Sequence, residues 1–155
     1  MPMRHDSMLG MVMRFTVTVD GIDLGGWSSC RGLGVQFEHE ELEVGANYEY
    51  NVLLPKRLKY SSITLQRAMN AEDSAKVAAW LRRVRDDWYS SDSGDGFPGS
   101  SATIVLLDAR NDLSTPVYKW TLERVFPKSW KGPDLDAAGN GIAIESLELA
   151  HEGFL

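Results

Sequence analysis

The last third of the chain reads VYKWTLERVFPKSW (Val117 to Trp130), KGPDLDAAGNG (Lys131 to Gly141) and IAIESLELAHEG (Ile142 to Gly153). The outer two segments are rich in β-branched and aromatic residues, and the connection between them is made of glycine, proline, aspartate and asparagine. Strand-forming runs separated by such turn residues fold back on one another, so this stretch predicts a long β-hairpin.

The same reading extends toward the N-terminus. Met13, Phe15, Val17 and Val19 alternate with Arg14, Thr16, Thr18 and Asp20, the period of two that sets one face of a strand on a core. Asp20-Gly21 supplies a tight turn. Gly25 to Gly34 is rich in glycine and serine and reads as a loop, with Trp27 as a core plug. An acidic strand from Val35 to Val44 follows. The turn Gly45-Ala46-Asn47 leads back through Tyr48, Tyr50, Val52 and Leu54, and Pro55 closes that strand. After a short strand from Ile63 to Gln66, Val77, Leu81, Val84 and Trp88 form one helical stripe widened by Trp80, with Asn70 or Asp73 as N-cap. Ser90 to Ser101 is a loop; Ala102 to Leu107 is a strand. The fold class is mainly β (α+β): a small β-sandwich or barrel with one flanking α-helix, in a single domain over 1–155 with 1–12 as a flexible N-terminus.

Two strands change phase partway along. Val35 and Phe37 lie on one face and Leu42 and Val44 on the other; Ile142 and Ile144 oppose Leu147 and Leu149 in the same way. Because a one-residue slip turns every side chain to the other face, either a bulge restores the register or each strand is buried on different faces by different neighbours. The second alternative makes Leu42, Val44, Leu147 and Leu149 candidates for contact with an adjoining copy.

The 155 residues carry a formal net charge of −6, which argues against nucleic acid as the primary ligand because duplex binding relies on lysine and arginine. The clusters Lys56/Arg57/Lys59 and Arg82/Arg83/Arg85 read as solvated faces. A lone Cys30 excludes an internal disulfide. There is no run of about 18 apolar residues and no signal-peptide pattern, so membrane insertion is not expected and assembly is expected in the cytoplasm. Gly94-Asp-Gly96-Phe-Pro-Gly99 matches a dinucleotide pattern but follows a helix, contains Pro98 and precedes a strand. The residues from Asp134 to Glu145 match a calcium loop only in part. His5, His39 and His151 belong to no nucleophile motif. No cofactor, metal or catalytic residue is expected.

Trp120, Phe126-Pro127, Gly132-Pro133-Asp134-Leu135 and Ile144 to Gly153, with Phe15 to Trp27, Cys30 to Gly34, Leu54-Pro55, Tyr60, Ile63 to Leu65 and Arg67, resemble the phage tail tube protein family. That family includes the inner-tube subunits of contractile phage tails and extracellular contractile injection systems. Lys56 and Ala68 stand where it usually carries glycine. The resemblance implies hexameric rings stacked head to tail, with two hairpins, Gly34 to Leu54 and Tyr118 to Ala150, lining an open bore. Six copies giving four strands each would close a barrel of ~50 Å diameter. The implied partners are further copies of the chain, a sheath protein outside, baseplate, spike and tube-terminating proteins at the ends, and DNA or protein cargo inside a released particle. On this reading Glu38, Glu40, Glu41 and Glu43 face the lumen and make it net negative, or else they face a basic sheath. Gly45, Ala46, Asn47, Pro133 and Asp134 contribute to ring stacking, as do the Ser90 to Ser101 and Gly132 to Gly141 loops. The alternatives are a baseplate or spike-adaptor ring of the same fold, and a monomeric ligand-binding β-barrel.

Overall fold

A computed structural model describes residues 13–89, 96–108, 116–139 and 141–155. The N-terminus over 1–12 and the first half of the Ser90 to Ser101 loop lie outside the described residues. The elements run Met13–Val19 (β1), Ile22–Trp27 (β2), Ser29–Arg31 (β3), Val35–Leu42 (β4), Val52–Tyr60 (β5), Ile63–Ala68 (β6), Ala71–Trp88 (α1), Ser100–Asp108 (β7), Pro116–Lys131 (β8) and Ile144–Ala150 (β9).

Strand alternation sets the core. Val17 and Val19 of β1, Leu24 and Trp27 of β2, Ala102 and Ile104 of β7 and Leu122 of β8 are buried together with Ile63 and Leu65 of β6 and Leu147 and Leu149 of β9. Asp20 and Gly21, both at positive φ, make the two-residue turn that pairs Val19 with Ile22. The strand order is β2-β1-β7-β8-β9-β6-β3, all antiparallel. Only Ser28 separates β2 from β3, and its N–H donates to the Gln66 carbonyl at 2.8 Å. The first and last strands of the order are thus one stretch of chain, and the sheet wraps toward a barrel.

The opposite corner is made by β8, which pairs with β7 in its first half and β9 in its second. A bulge between Leu122 and Val125 turns it, with Arg124 at φ 46. Such corners let one strand serve two sheets. Arg124 is fixed there by an ion pair to Glu152 at 2.8 Å and by donating to the Pro98 carbonyl at 3.1 Å.

Helix α1 starts at Asn70, whose Oδ1 accepts from the Asp73 N–H at 2.8 Å. It buries Val77, Trp80 and Val84 against the core. Leu81 is half-buried and Trp88 is exposed, so the apolar stripe is covered most fully at its centre.

Three expectations are corrected. The Gly25 to Gly34 segment holds strand as well as loop: Gly25 sits in β2 at φ 88, where a Cβ would collide with the Asp73 carboxylate of α1, so this glycine marks close helix packing. Pro55 does not close its strand; β5 runs on to Tyr60, which is tolerated because the outer edges of the β4–β5 pair have no partner strand among the described residues. Leu147 and Leu149 are 0% exposed and fill the subunit's own core, so they are not available to a neighbouring copy. The pairing of β9 with β6 is unbroken from Ile144 to Leu149, so in β9 the phase change is no bulge. Its outward face is the one carrying Ile144.

Candidate functional site

Among the described residues, strands β4 and β5 pair only with each other and stand apart from the seven-stranded sheet. An isolated two-stranded hairpin is marginal in water and needs a third partner for stability. The root of this ribbon is anchored: the Tyr60 ring lies 5.4 Å from the His151 ring and 5.2 Å from the Phe154 ring, with His151 Nε2 3.1 Å from the Ser61 carbonyl. Burial lowers the His151 pKa from 6.5, against backbone hydrogen bonds that raise it. Beyond the root most of the ribbon is exposed, with Glu38 and Val52 half-buried.

Directly opposed residues share a face, so the register sorts the side chains. Val35 opposes Tyr60, Phe37 opposes Leu58, His39 opposes Pro55 and Glu41 opposes Leu53. This face is predominantly apolar, and Phe37 is 67% exposed on it. On the other face Gln36 opposes Lys59, Glu40 opposes Leu54 and Leu42 opposes Val52. The register shift between Phe37 and His39 sets Glu38 against both Lys56 and Arg57. The extra residue is on β5, so β4 keeps its own alternation, and Leu42 lies on the face opposite Val35 and Phe37, while Val44 follows the end of the strand.

The four glutamates therefore cannot line one surface together. Glu38 and Glu40 lie on the face that also carries Lys56, Arg57 and Lys59, while Glu41 lies on the apolar face, where its carboxylate accepts from Asn51 Nδ2 at 3.3 Å. Glu43 follows the end of β4. Leu42 and Val44 are exposed, as a contact role requires. Gly45, Ala46 and Asn47 form the ribbon tip, closed by the Asn47 N–H donating to the Val44 carbonyl at 2.9 Å. Pro133 and Asp134 stand at the end of the other hairpin, beyond β8. That hairpin uses one face for the subunit's core, through Leu122, Val125, Leu147 and Leu149.

A group that the sequence reading missed ties the barrel to the helix. Arg67 of β6 sits directly opposite Glu145 of β9, 3% and 0% exposed, and its Nε donates to the Glu145 carboxylate. The same carboxylate accepts from Ser74 Oγ of α1 at 2.9 Å and from Trp130 Nε1 of β8 at 3.2 Å. Arg67 Nη1 donates to the carbonyls of Leu24 and Gly26, and its guanidinium lies 3.8 Å from the centre of the Trp27 ring. Charges this deeply buried persist only when paired and hydrogen-bonded. The network bridges the gap between β2 and β6 where the barrel closes. Its role is structural.

A family model described as T4-like virus tail tube protein gp19 matches residues 12–155. The chain belongs to that family. Among solved structures, a tail tube fold is shared with a chain of the anti-feeding prophage baseplate, 6-fold symmetrised, at 25% identity and TM-score 0.68, covering 94% of this chain and 91% of that one. A chain of the sheath-tube complex of the extracellular contractile injection system PVC matches at 21% identity and TM-score 0.66, covering 90% and 85%. Hcp1 from Salmonella typhimurium shares the fold at 13% identity and TM-score 0.50, covering 91% and 83%. Comparison with curated proteins gives no match. The chain is a structural protein of the tail tube and contractile injection system class. Lys56 and Ala68 stand in strands β5 and β6 and neither has positive φ.

Proposed function

We propose that this chain is the inner-tube subunit of a contractile tail or injection system, forming six-membered rings that stack around an open bore. The single observation that carries this is the β4–β5 ribbon, with an apolar face its own subunit leaves open and outer edges that pair with nothing among the described residues. Edges and apolar patches of this kind are covered by further copies, and a closed ring leaves none unpaired. The apolar face of Phe37, Leu53 and Leu58 packs on the adjoining copy, and the charged face of Glu38, Glu40, Lys56, Arg57 and Lys59 turns to the bore. That surface is mixed in sign, with three cations set against two carboxylates, so it repels and holds a polyanion less than a single-sign surface would. DNA or a protein effector passes through the bore. A sheath outside, a baseplate or spike at one end and a terminator at the other complete the particle, and no catalysis is involved.

A second reading, a baseplate ring of the same fold, is supported by the likeness to a baseplate chain at 25% identity. Sizing chromatography followed by negative-stain microscopy tests both. Six-fold rings that stack into tubes are expected; single rings that never stack identify the baseplate component, and a well-folded monomer at high micromolar concentration overturns both.

A further inference from the structure

At the corner where the barrel closes, a cleft of about 490 Å³ opens between β1, the end of β2 and the end of β6. Its walls include Phe15, Trp27 and Leu107, with Arg14, Arg67 and Ala68 beside them. Arg67 is 3% exposed, and after its bonds to Glu145, Leu24 and Gly26 its Nη2 remains without a hydrogen-bond partner among the described residues. A buried donor left unmade costs free energy, and a cationic one favours a carboxylate above other acceptors. Arg14 is exposed and makes no ion pair among the described residues. The cleft therefore offers an apolar floor and one accessible guanidinium, that of Arg14, while Arg67 lies buried beneath it.

The chain carries a complementary shape in the turn after β8. Leu135 is 87% exposed, stands between Asp134 and Asp136 in sequence, and lines a shallow concavity with Ile142 and Ala143. Asp136 is used to brace the turn, its Oδ1 accepting from the Ala138 N–H at 3.0 Å and its carbonyl from the Gly139 N–H at 3.1 Å. Asp134 is exposed and makes no bond or ion pair among the described residues. The turn is held in shape while its leucine and one carboxylate stay free.

We propose that the cleft receives the Asp134–Leu135–Asp136 turn of a second copy, Leu135 resting on Phe15, Trp27 and Leu107 and Asp134 pairing with the exposed Arg14. The contact joins two different surfaces of one chain, so it is head-to-tail and propagates from copy to copy. It rests on the reading that copies associate, and adds which turn meets which cleft.

Two variants test it without touching the buried ion pair. Leu135→Ala removes the knob and keeps the cleft; Ala68→Trp fills the cleft and keeps the knob, at a position already exposed. Each alone is expected to raise the concentration for half-assembly by about 30-fold, the scale of losing a central anchor, with an unchanged melting temperature of the monomer. Mixed at equal concentration, they are expected to associate more tightly than either variant alone, since the intact turn of one meets the intact cleft of the other. Arg14→Asp combined with Asp134→Arg in one chain is expected to restore the assembly that each reversal weakens. Wild-type-like assembly by both Leu135→Ala and Ala68→Trp, or a mixture that associates no more tightly than either variant alone, overturns the proposal while rings of the unaltered protein leave the tube reading standing.

Discussion

Phe37→Ala separates folding from assembly. The residue is 67% exposed on the apolar face of the β4–β5 ribbon, opposite Leu58. A phenylalanine side chain presents roughly 200 Å², so about two thirds of it, roughly 130 Å², remains to be covered by an adjoining copy. At about 25 cal/mol per Å² this is about 3 kcal/mol per contact, or about a 100-fold rise in the concentration at which rings form. Because so little of the ring is buried within the monomer, monomer stability is expected to change by no more than about 0.5 kcal/mol. Sedimentation velocity over a concentration series reads the first effect, and denaturant unfolding of the dilute monomer reads the second. An unchanged assembly midpoint, or a loss of monomer stability comparable to the loss of assembly, would refute the reasoning that this face is covered by another copy.

Glu145→Ala leaves the Arg67 charge buried and unpaired and also strips Ser74 and Trp130 of an acceptor, so it is expected to destabilise the subunit by about 3–5 kcal/mol in denaturant unfolding; a cost under about 1 kcal/mol contradicts the network. His151 has a folded pKa below 6.5, so the unfolded chain takes up its proton first as pH falls. Its contribution to stability is complete above about pH 6.5 and is lost as pH drops through the folded pKa; His151→Phe, which keeps a ring against Tyr60, is expected to lose less stability between pH 7.5 and 5 than the unaltered protein. Asn70→Ala removes the acceptor at the start of α1 and is expected to cost about 1 kcal/mol, read by thermal unfolding.

Much of the architecture is legible where one periodicity has one cause. Val77, Trp80 and Val84 repeat at helical spacing because α1 has one buried face, and Asn70 stands at its start with the side-chain acceptor a cap needs. The β1 alternation is equally direct. Legibility fails where tertiary context overrides composition. Gly25 and Gly26 look like loop and are strand, because the helix lies too close for a Cβ at position 25. Pro55 looks like a stop and is not, because one edge of its strand pairs with nothing among the described residues. The phase change of β9 leaves open which leucine or isoleucine set is inside, since both faces are apolar and only pairing with β6 decides for Leu147 and Leu149. The buried ion pair did have a signal: Arg67 continues the inward series Ile63, Leu65, and Glu145 begins the inward series Leu147, Leu149. Two charges of opposite sign, each in phase with a buried row, mark neighbouring strands. For the β8 corner at Arg124 no comparable cue exists, because a non-glycine residue at positive φ is held there by its partners Pro98 and Glu152 rather than by its type.

The central claim is that the ribbon from Val35 to Tyr60 is completed by further copies of the chain. A cryo-electron microscopy reconstruction of the assembled protein measures this directly. The account predicts a six-fold ring in which ribbons of adjoining copies form one continuous sheet around an open bore, with Phe37 and Leu58 covered and Glu38 and Lys59 facing the axis. Ribbons that project outward from the axis with Phe37 still in solvent would contradict it.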